Sequence, residues 1–190
     1  MQSNNKGYTL IELLIAIAII GILAATVSPN LSKMIKTQRL SSAAQTIHST
    51  LLFAKSFALK NRQAVTVEFI PGIGTTGTCT VFRDTGTTNP NNYQFDTDET
   101  PLKSVSMPGD ATLWKAELGS ELNNLNGRKS IVFNSLGFPT LNAGGAPIFF
   151  NGDVYASIQI DPATTVYQRI TISTGGGLKI EKSGDGANFY

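Results

Sequence analysis

The chain has 190 residues, 41% of them hydrophobic and only 15% charged, with a formal net charge of +2. That length allows one domain of ordinary size beyond any anchor, and the near-balanced charge excludes a composition made for polyanions in general. Cys79 is the only cysteine, which excludes a disulfide within the chain, so the compartment has to be argued from other features.

Taken in chain order, the first element is a short polar stretch, Met1 to Gly7 (MQSNNKG). An apolar run follows from Leu10 to Val27, and its only charge is Glu12. A charged side chain inside a membrane segment costs ~3 kcal/mol or more, so it persists where it has a partner and a task. No partner for Glu12 is evident within its own helix. The run lacks the pattern of an ordinary signal peptide, whose small-residue cleavage site follows the apolar stretch. Basic residues give a conflicting orientation. Lys6 alone precedes the span, while Lys33, Lys36 and Arg39 follow it, and positive charge normally marks the cytoplasmic side.

Pro29 removes one helical hydrogen bond and is expected to kink or loosen the helix. Beyond it, Leu40, Ala44, Ile47, Leu51, Ala54 and Ala58 recur at spacings of four and three, one stripe of an amphipathic helix. Lys33, Lys36, Arg39, Gln45, Lys55 and Lys60 fall mostly off that stripe. The spacing predicts a helix ending near Asn61, and about 50 residues at ~1.5 Å each give a rod of roughly 75 Å.

After Asn61 the pattern changes to short β-rich runs: 64–70, 78–83, 112–116, 130–134, 147–150, 154–160, 168–173 and 178–182. Asn151-Gly152 and Gly175-Gly176-Gly177 are hairpin signals. Residues 84–102, rich in Thr, Asn, Asp and Pro, read as a surface loop. Strands that follow one long helix, with no alternating helices, indicate an α+β domain with antiparallel sheets.

The N-terminus resembles that of type IV pilins and type II secretion pseudopilins. The match rests on Gly7-Tyr8-Thr9-Leu10-Ile11-Glu12 and on Pro29. The resemblance implies a leader, residues 1–7, removed by a prepilin peptidase between Gly7 and Tyr8. Tyr8, where the family usually has Phe or Met, would then be N-methylated. It implies further that Glu12 is the assembly contact, pairing with the terminal amine of a neighbouring subunit. Residues 8–28 would form the transmembrane and assembly helix, 29–61 its amphipathic continuation, and 62–190 an extracytoplasmic β-rich domain.

The second half resembles the GspH/FimT-type minor pilins, through Ile131-Val132-Phe133, Gly137, Pro139 and the late strand Arg169 to Ser173 with its glycine turn. In that branch the long helix packs on two sheets. The implied protein is a structural subunit near the tip of a pilus or secretion pseudopilus, not an enzyme, and it has no cofactor. Its partners would be other pilins, the prepilin peptidase and an inner-membrane assembly platform. It would be stored as a single-pass protein of a bacterial inner membrane, with its C-terminal domain in the periplasm. This resemblance outweighs the charge count, since large domains translocate regardless of flanking charge.

FimT-type relatives include DNA receptors for natural transformation, so the basic residues also matter. Arg128, Lys129, Lys179 and Lys182 are the candidate contacts. The arginine-rich C-terminal element is absent, and a few lysines give only weak, salt-sensitive binding. Other chemistry is faint. Gly72, Gly74 and Gly77 spell a dinucleotide-binding pattern, but a strand follows where a helix start is needed. Asp96, Asp98 and Glu99 lack the spacing of a calcium loop. His48 is the sole histidine and sits beside the helix stripe. Cys79 and Trp114 read as packing residues.

Overall fold

The structure, a computed structural model, describes residues 8–70, 77–86, 93–108, 111–117, 129–140, 152–161, 163–184 and 188–190, apart from the side chains of 25–30, 114–117 and 129. It comprises two compact units, Met1–Ile35 and Lys36–Tyr190. One helix, α1 (Leu10–Asn61, 52 residues), contributes to both and runs through Pro29 as a single element.

Both ends of α1 carry local signals. Thr9 stands at the N-cap. At the other end Arg62 adopts a left-handed φ of 52°, and the Gln63 N–H bonds the Ala58 carbonyl at 3.3 Å. That is the six-to-one bond of a Schellman motif, with arginine in a place usually taken by glycine. The expected end at Asn61 is met.

Among the described residues nine strands follow: β1 (Val65–Ile70), β2 (Thr78–Phe82), β3 (Pro101–Ser106), β4 (Thr112–Glu117), β5 (Lys129–Phe133), β6 (Pro139–Thr140), β7 (Gly152–Asp161), β8 (Thr164–Ile172) and β9 (Leu178–Ser183). They form two sheets, β3-β2-β1-β5-β6 and β4-β7-β8-β9, and every pairing is antiparallel. The α+β expectation holds: the helix packs on two antiparallel sheets.

The core follows from periodicity. In the second unit the whole stripe Leu40, Ala44, Ile47, Leu51, Ala54 and Ala58 is buried, and Ala43 joins it. Alternate residues of the central strands meet it: Val65, Val67 and Phe69 of β1, Ile131 and Phe133 of β5, Val154 and Ala156 of β7, and Ile170 and Ile172 of β8. Alanines on the helix let the sheets approach closely, while the branched residues fill the space between. Lys36 and Lys55 border this packed surface and bond main-chain carbonyls across it, Lys36 to Gln159 (2.9 Å) and Ile160 (2.8 Å), and Lys55 to Gly176 (2.8 Å).

The far face of β1 is buried too, at Thr66 and Glu68. Residues 93–99 are fastened over that side of the sheet. Ser130, register partner of Glu68, donates its hydroxyl to the Tyr93 carbonyl at 2.5 Å, and Phe82 meets the Phe95 ring edge-on at 5.5 Å. Asp84 accepts from the Tyr93 N–H at 2.7 Å.

Three strand expectations need correction. The loop assigned to 84–102 ends in a strand, because β3 begins at Pro101. None of its six residues is fully buried, so it lacks the apolar alternation that reveals buried strands. β6 has two residues and no periodicity to detect. β8 starts at Thr164, four residues before the apolar run begins, because it follows the long β7 in register from Asp161↔Thr164 onward. The expected run 147–150 and Asn151 lie outside the described residues, and Gly152 opens β7. The glycine turn is as expected: Gly176, at φ +71°, donates to the Ser173 carbonyl at 2.7 Å. A Cβ there would lie 2.8 Å from the Gly137 carbonyl oxygen, so both the conformation and the space require glycine.

Candidate filament-assembly site

The first turn of α1 is a closed local device. Glu12 Oε2 accepts the Thr9 backbone N–H at 2.8 Å and the Thr9 hydroxyl at 2.9 Å, while the Glu12 N–H reaches the same hydroxyl at 3.3 Å. This is the reciprocal capping box of a Thr-x-x-Glu sequence. It corrects the expectation that Glu12 has no partner in its own helix. The signal was present in the sequence, as Thr9 three residues before Glu12. Its acidic charge also faces the positive end of the helix dipole.

Around this turn the side chains are laid open. Tyr8 is 92% exposed, and Leu10, Ile11, Leu13, Leu14, Ile15, Ile17, Ile19, Ile20, Ile22 and Leu23 are all exposed. Tyr8, Glu12, Leu13 and Ala16 line a common hollow of about 280 Å³. An unbroken exposed apolar surface of this kind marks a contact with lipid or with other apolar helices. Gly7 lies outside the described residues, as does the side chain of Pro29. Among the described residues no helix is long and apolar enough to cross a membrane.

The basic candidates do not converge. Arg128 is outside the described residues. Lys129 opens β5 opposite Phe69. Lys179 pairs with Glu181 at 2.7 Å. Lys182 is exposed, and its main chain exchanges two bonds with Tyr190, at 3.0 and 3.1 Å. The structure adds Arg169, which the sequence reading passed over. It binds Glu181 through two nitrogens, Nε at 2.9 Å, approaches Asp153 at 3.7 Å and lies 4.3 Å from the centre of the Phe189 ring. Cross-strand register sets Arg169 against Glu181, and opposite charges facing each other on antiparallel strands attract. Hydrogen bonds from Lys179, then from Arg169, hold the Glu181 carboxyl below its ordinary range.

The other candidates find structural roles. β1 and β2 pair antiparallel, and a strand follows Gly77, so the helix start that a pyrophosphate needs is missing. Gly72 and Gly74 are outside the described residues. Glu99 accepts backbone N–H groups from Thr85 (3.1 Å), Gly86 (3.3 Å) and Asp96 (3.1 Å), tying its own loop together. Burial raises its carboxyl, and nearby Asp84 adds to the rise. Among the described residues no group of His, Cys, Asp and Glu is placed to hold a metal. Cys79 is fully buried, which pushes its thiol well up and makes it unreactive. His48 is half-buried on α1. Trp114 lies in β4, its side chain outside the description.

An exposed apolar helical segment that opens on an acid and passes into a helix-on-sheets domain is the arrangement that the resemblance to type IV filament subunits implies. Comparison with known families agrees. A model described as the prokaryotic N-terminal methylation motif matches residues 2–28, and one described as type II transport protein GspH matches residues 43–176. The chain belongs to the GspH family, a family of structural pilins whose members meet other pilins and carry a prepilin-type, membrane-anchoring N-terminus. No curated protein matches the chain. Two crystal structures of the type IV minor pilin FimU from Pseudomonas aeruginosa are similar at 13% identity. One has a TM-score of 0.48 and covers 83% of this chain and 96% of that one. The other has a TM-score of 0.45 and covers 80% and 97%.

Proposed function

We propose that this chain is a minor pilin or pseudopilin, stored as a single-span protein of a bacterial inner membrane with its β domain in the periplasm. It is cut between Gly7 and Tyr8, methylated at Tyr8, and drawn into a filament near the tip, where it supports secretion or pilus biogenesis. The observation that carries this reading is the exposed apolar surface of residues 10–23 beside a carboxylate that closes the first helical turn. In a filament the apolar surfaces bundle, and the Tyr8 amine of an incoming subunit approaches the Glu12 of its neighbour. Thr9 occupies Oε2 and restrains the carboxylate's rotation. The attraction in a low-dielectric core is large, but desolvation offsets much of it. The pair therefore acts mainly on register, since any other axial offset leaves both charges unmatched.

Two measurements test this. N-terminal mass spectrometry of filament-incorporated protein from the host should begin at Tyr8, and intact Met1 to Gly7 there would overturn the reading. Glu12→Leu should keep membrane content and domain fold while lowering the sheared-filament fraction, with Glu12→Asp intermediate. Wild-type incorporation of Glu12→Leu would remove the carboxylate from assembly.

A further inference from the structure

Segment 188–190 pairs with β9. Tyr190 exchanges two main-chain bonds with Lys182, at 3.0 and 3.1 Å, the closely spaced pair of an antiparallel ladder. Its side chain is 84% exposed, so at this residue the backbone makes the hold. One residue earlier a side chain makes it. The centre of the Phe189 ring lies 4.3 Å from the Arg169 guanidinium carbon and 5.7 Å from the centre of the Tyr155 ring, which it meets edge-on.

The seat under Phe189 is built by residues outside the segment. Strand register places Tyr155 of β7, Arg169 of β8 and Glu181 of β9 side by side. They form one row on the face opposite the core residues Val154, Ala156 and Ile170. Glu181 accepts from two nitrogens of Arg169, and Asp153 lies 3.7 Å from the third. A planar guanidinium held at its edges offers its flat face to a ring. Tyr155 is tied in turn by its hydroxyl, which donates to Asp153 at 3.4 Å. The seat is therefore fixed by β7, β8 and β9, whichever chain supplies the ring. The main-chain hold is equally indifferent, because a strand edge pairs with any extended backbone. The connecting stretch 184–187 reads Gly-Asp-Gly-Ala, and its two glycines lower the steric cost of a change of path.

We propose that segment 188–190 is an exchangeable strand: it closes the edge of β9 in its own chain and takes the same seat on a second copy when two chains are held close. The contacts are identical in the two cases, as in any exchange of one element between copies, so local concentration decides between them. The inference goes beyond the filament role and does not rest on it, since its test needs neither processing nor assembly.

The test uses two full-length chains in detergent, one carrying Lys182→Cys and the other Tyr190→Cys. Both side chains are exposed, and residues that exchange both bonds stand about 5.5 Å apart at Cα, within reach of a disulfide. Cys79 is buried and stays out of the reaction. After oxidation of an equal mixture, the mixed 182–190 dimer should exceed the 182–182 and 190–190 dimers about tenfold and rise with protein concentration. Phe189→Ala in the Tyr190→Cys chain should lower it about tenfold, and Phe189→Tyr, which keeps a ring, should restore it. A mixed dimer no more abundant than the like pairs would overturn the proposal, as would one that Phe189→Ala leaves intact. A single chain carrying both cysteines should close its disulfide internally when dilute, which shows the substituted chain folded with the segment seated. Failure of that internal bond would overturn the seat itself.

Discussion

The two halves of α1 share a secondary structure and almost nothing else. From Leu10 to Leu23 the large apolar side chains are exposed on every side, whereas from Leu40 to Ala58 a single stripe is buried to 2% or less. A helix that is apolar all round meets an apolar medium; one that is apolar along a stripe meets one folded surface. Local signals, a Thr9–Glu12 box at one end and a Schellman turn at the other, start and stop the helix. What each half does is decided by how far round the cylinder its hydrophobicity extends.

The sharpest way to break the comparison is to place the same charge in each half. Ile47→Asp puts an unpaired carboxylate into a fully buried site and should cost more than about 4 kcal/mol, enough to unfold the β domain. Ile17→Asp, on the exposed surface, should shift the domain's stability by less than about 0.5 kcal/mol while abolishing recruitment to the membrane and filament. Circular-dichroism melts and membrane fractionation measure the two effects. Truncation gives a graded version: Leu51→Ala should cost about 2–5 kcal/mol.

Next in size is Lys55→Met, which keeps most of the aliphatic stem but removes the bond to the Gly176 carbonyl. About 1–2 kcal/mol is expected, seen as a lower urea midpoint. At the helix's other end, Thr9→Ala should loosen the first turn by about 1 kcal/mol and leave the domain's melt unchanged. Hydrogen exchange at residues 9–13 would show the first effect, and calorimetry the absence of the second.

A smaller effect is tied to pH and lies away from the helix. Glu181 has a depressed carboxyl, through Lys179 first and Arg169 second. The stability from those contacts is therefore present above the ordinary Glu value of about 4.3 and is lost as pH falls through the depressed one. Glu181→Gln should cost about 1 kcal/mol at pH 7, and its difference from wild type should be smaller at pH 3. Thermal melts at both pH values decide it. The smallest effect concerns nucleic acid. Lys179 is ion-paired and Arg169 is held by two carboxylates, so duplex DNA should bind weakly even at low salt. Neutralising Arg128, Lys129, Lys179 and Lys182 together should change the mobility shift by less than tenfold.

The sequence by itself determined the parts that depend on near neighbours along the chain. The apolar run with Glu12, the stripe from Leu40 to Ala58, the helix end at Asn61 and the glycine turn at 175–177 are all short-range patterns, and the structure contains each of them. Even the Thr9–Glu12 box belonged to this class, its two residues three apart. Tertiary structure decided what periodicity does not encode. Edge strand β3 has one exposed face and no alternation, and β6 is held by two pairs to β5. The bonds of Lys36 and Lys55 to distant carbonyls, the Arg169–Glu181 pair and the Thr112–Ser157 hydroxyl contact join residues 12 to 124 positions apart. Such contacts follow from strand register and helix placement, which are settled only when the chain closes on itself.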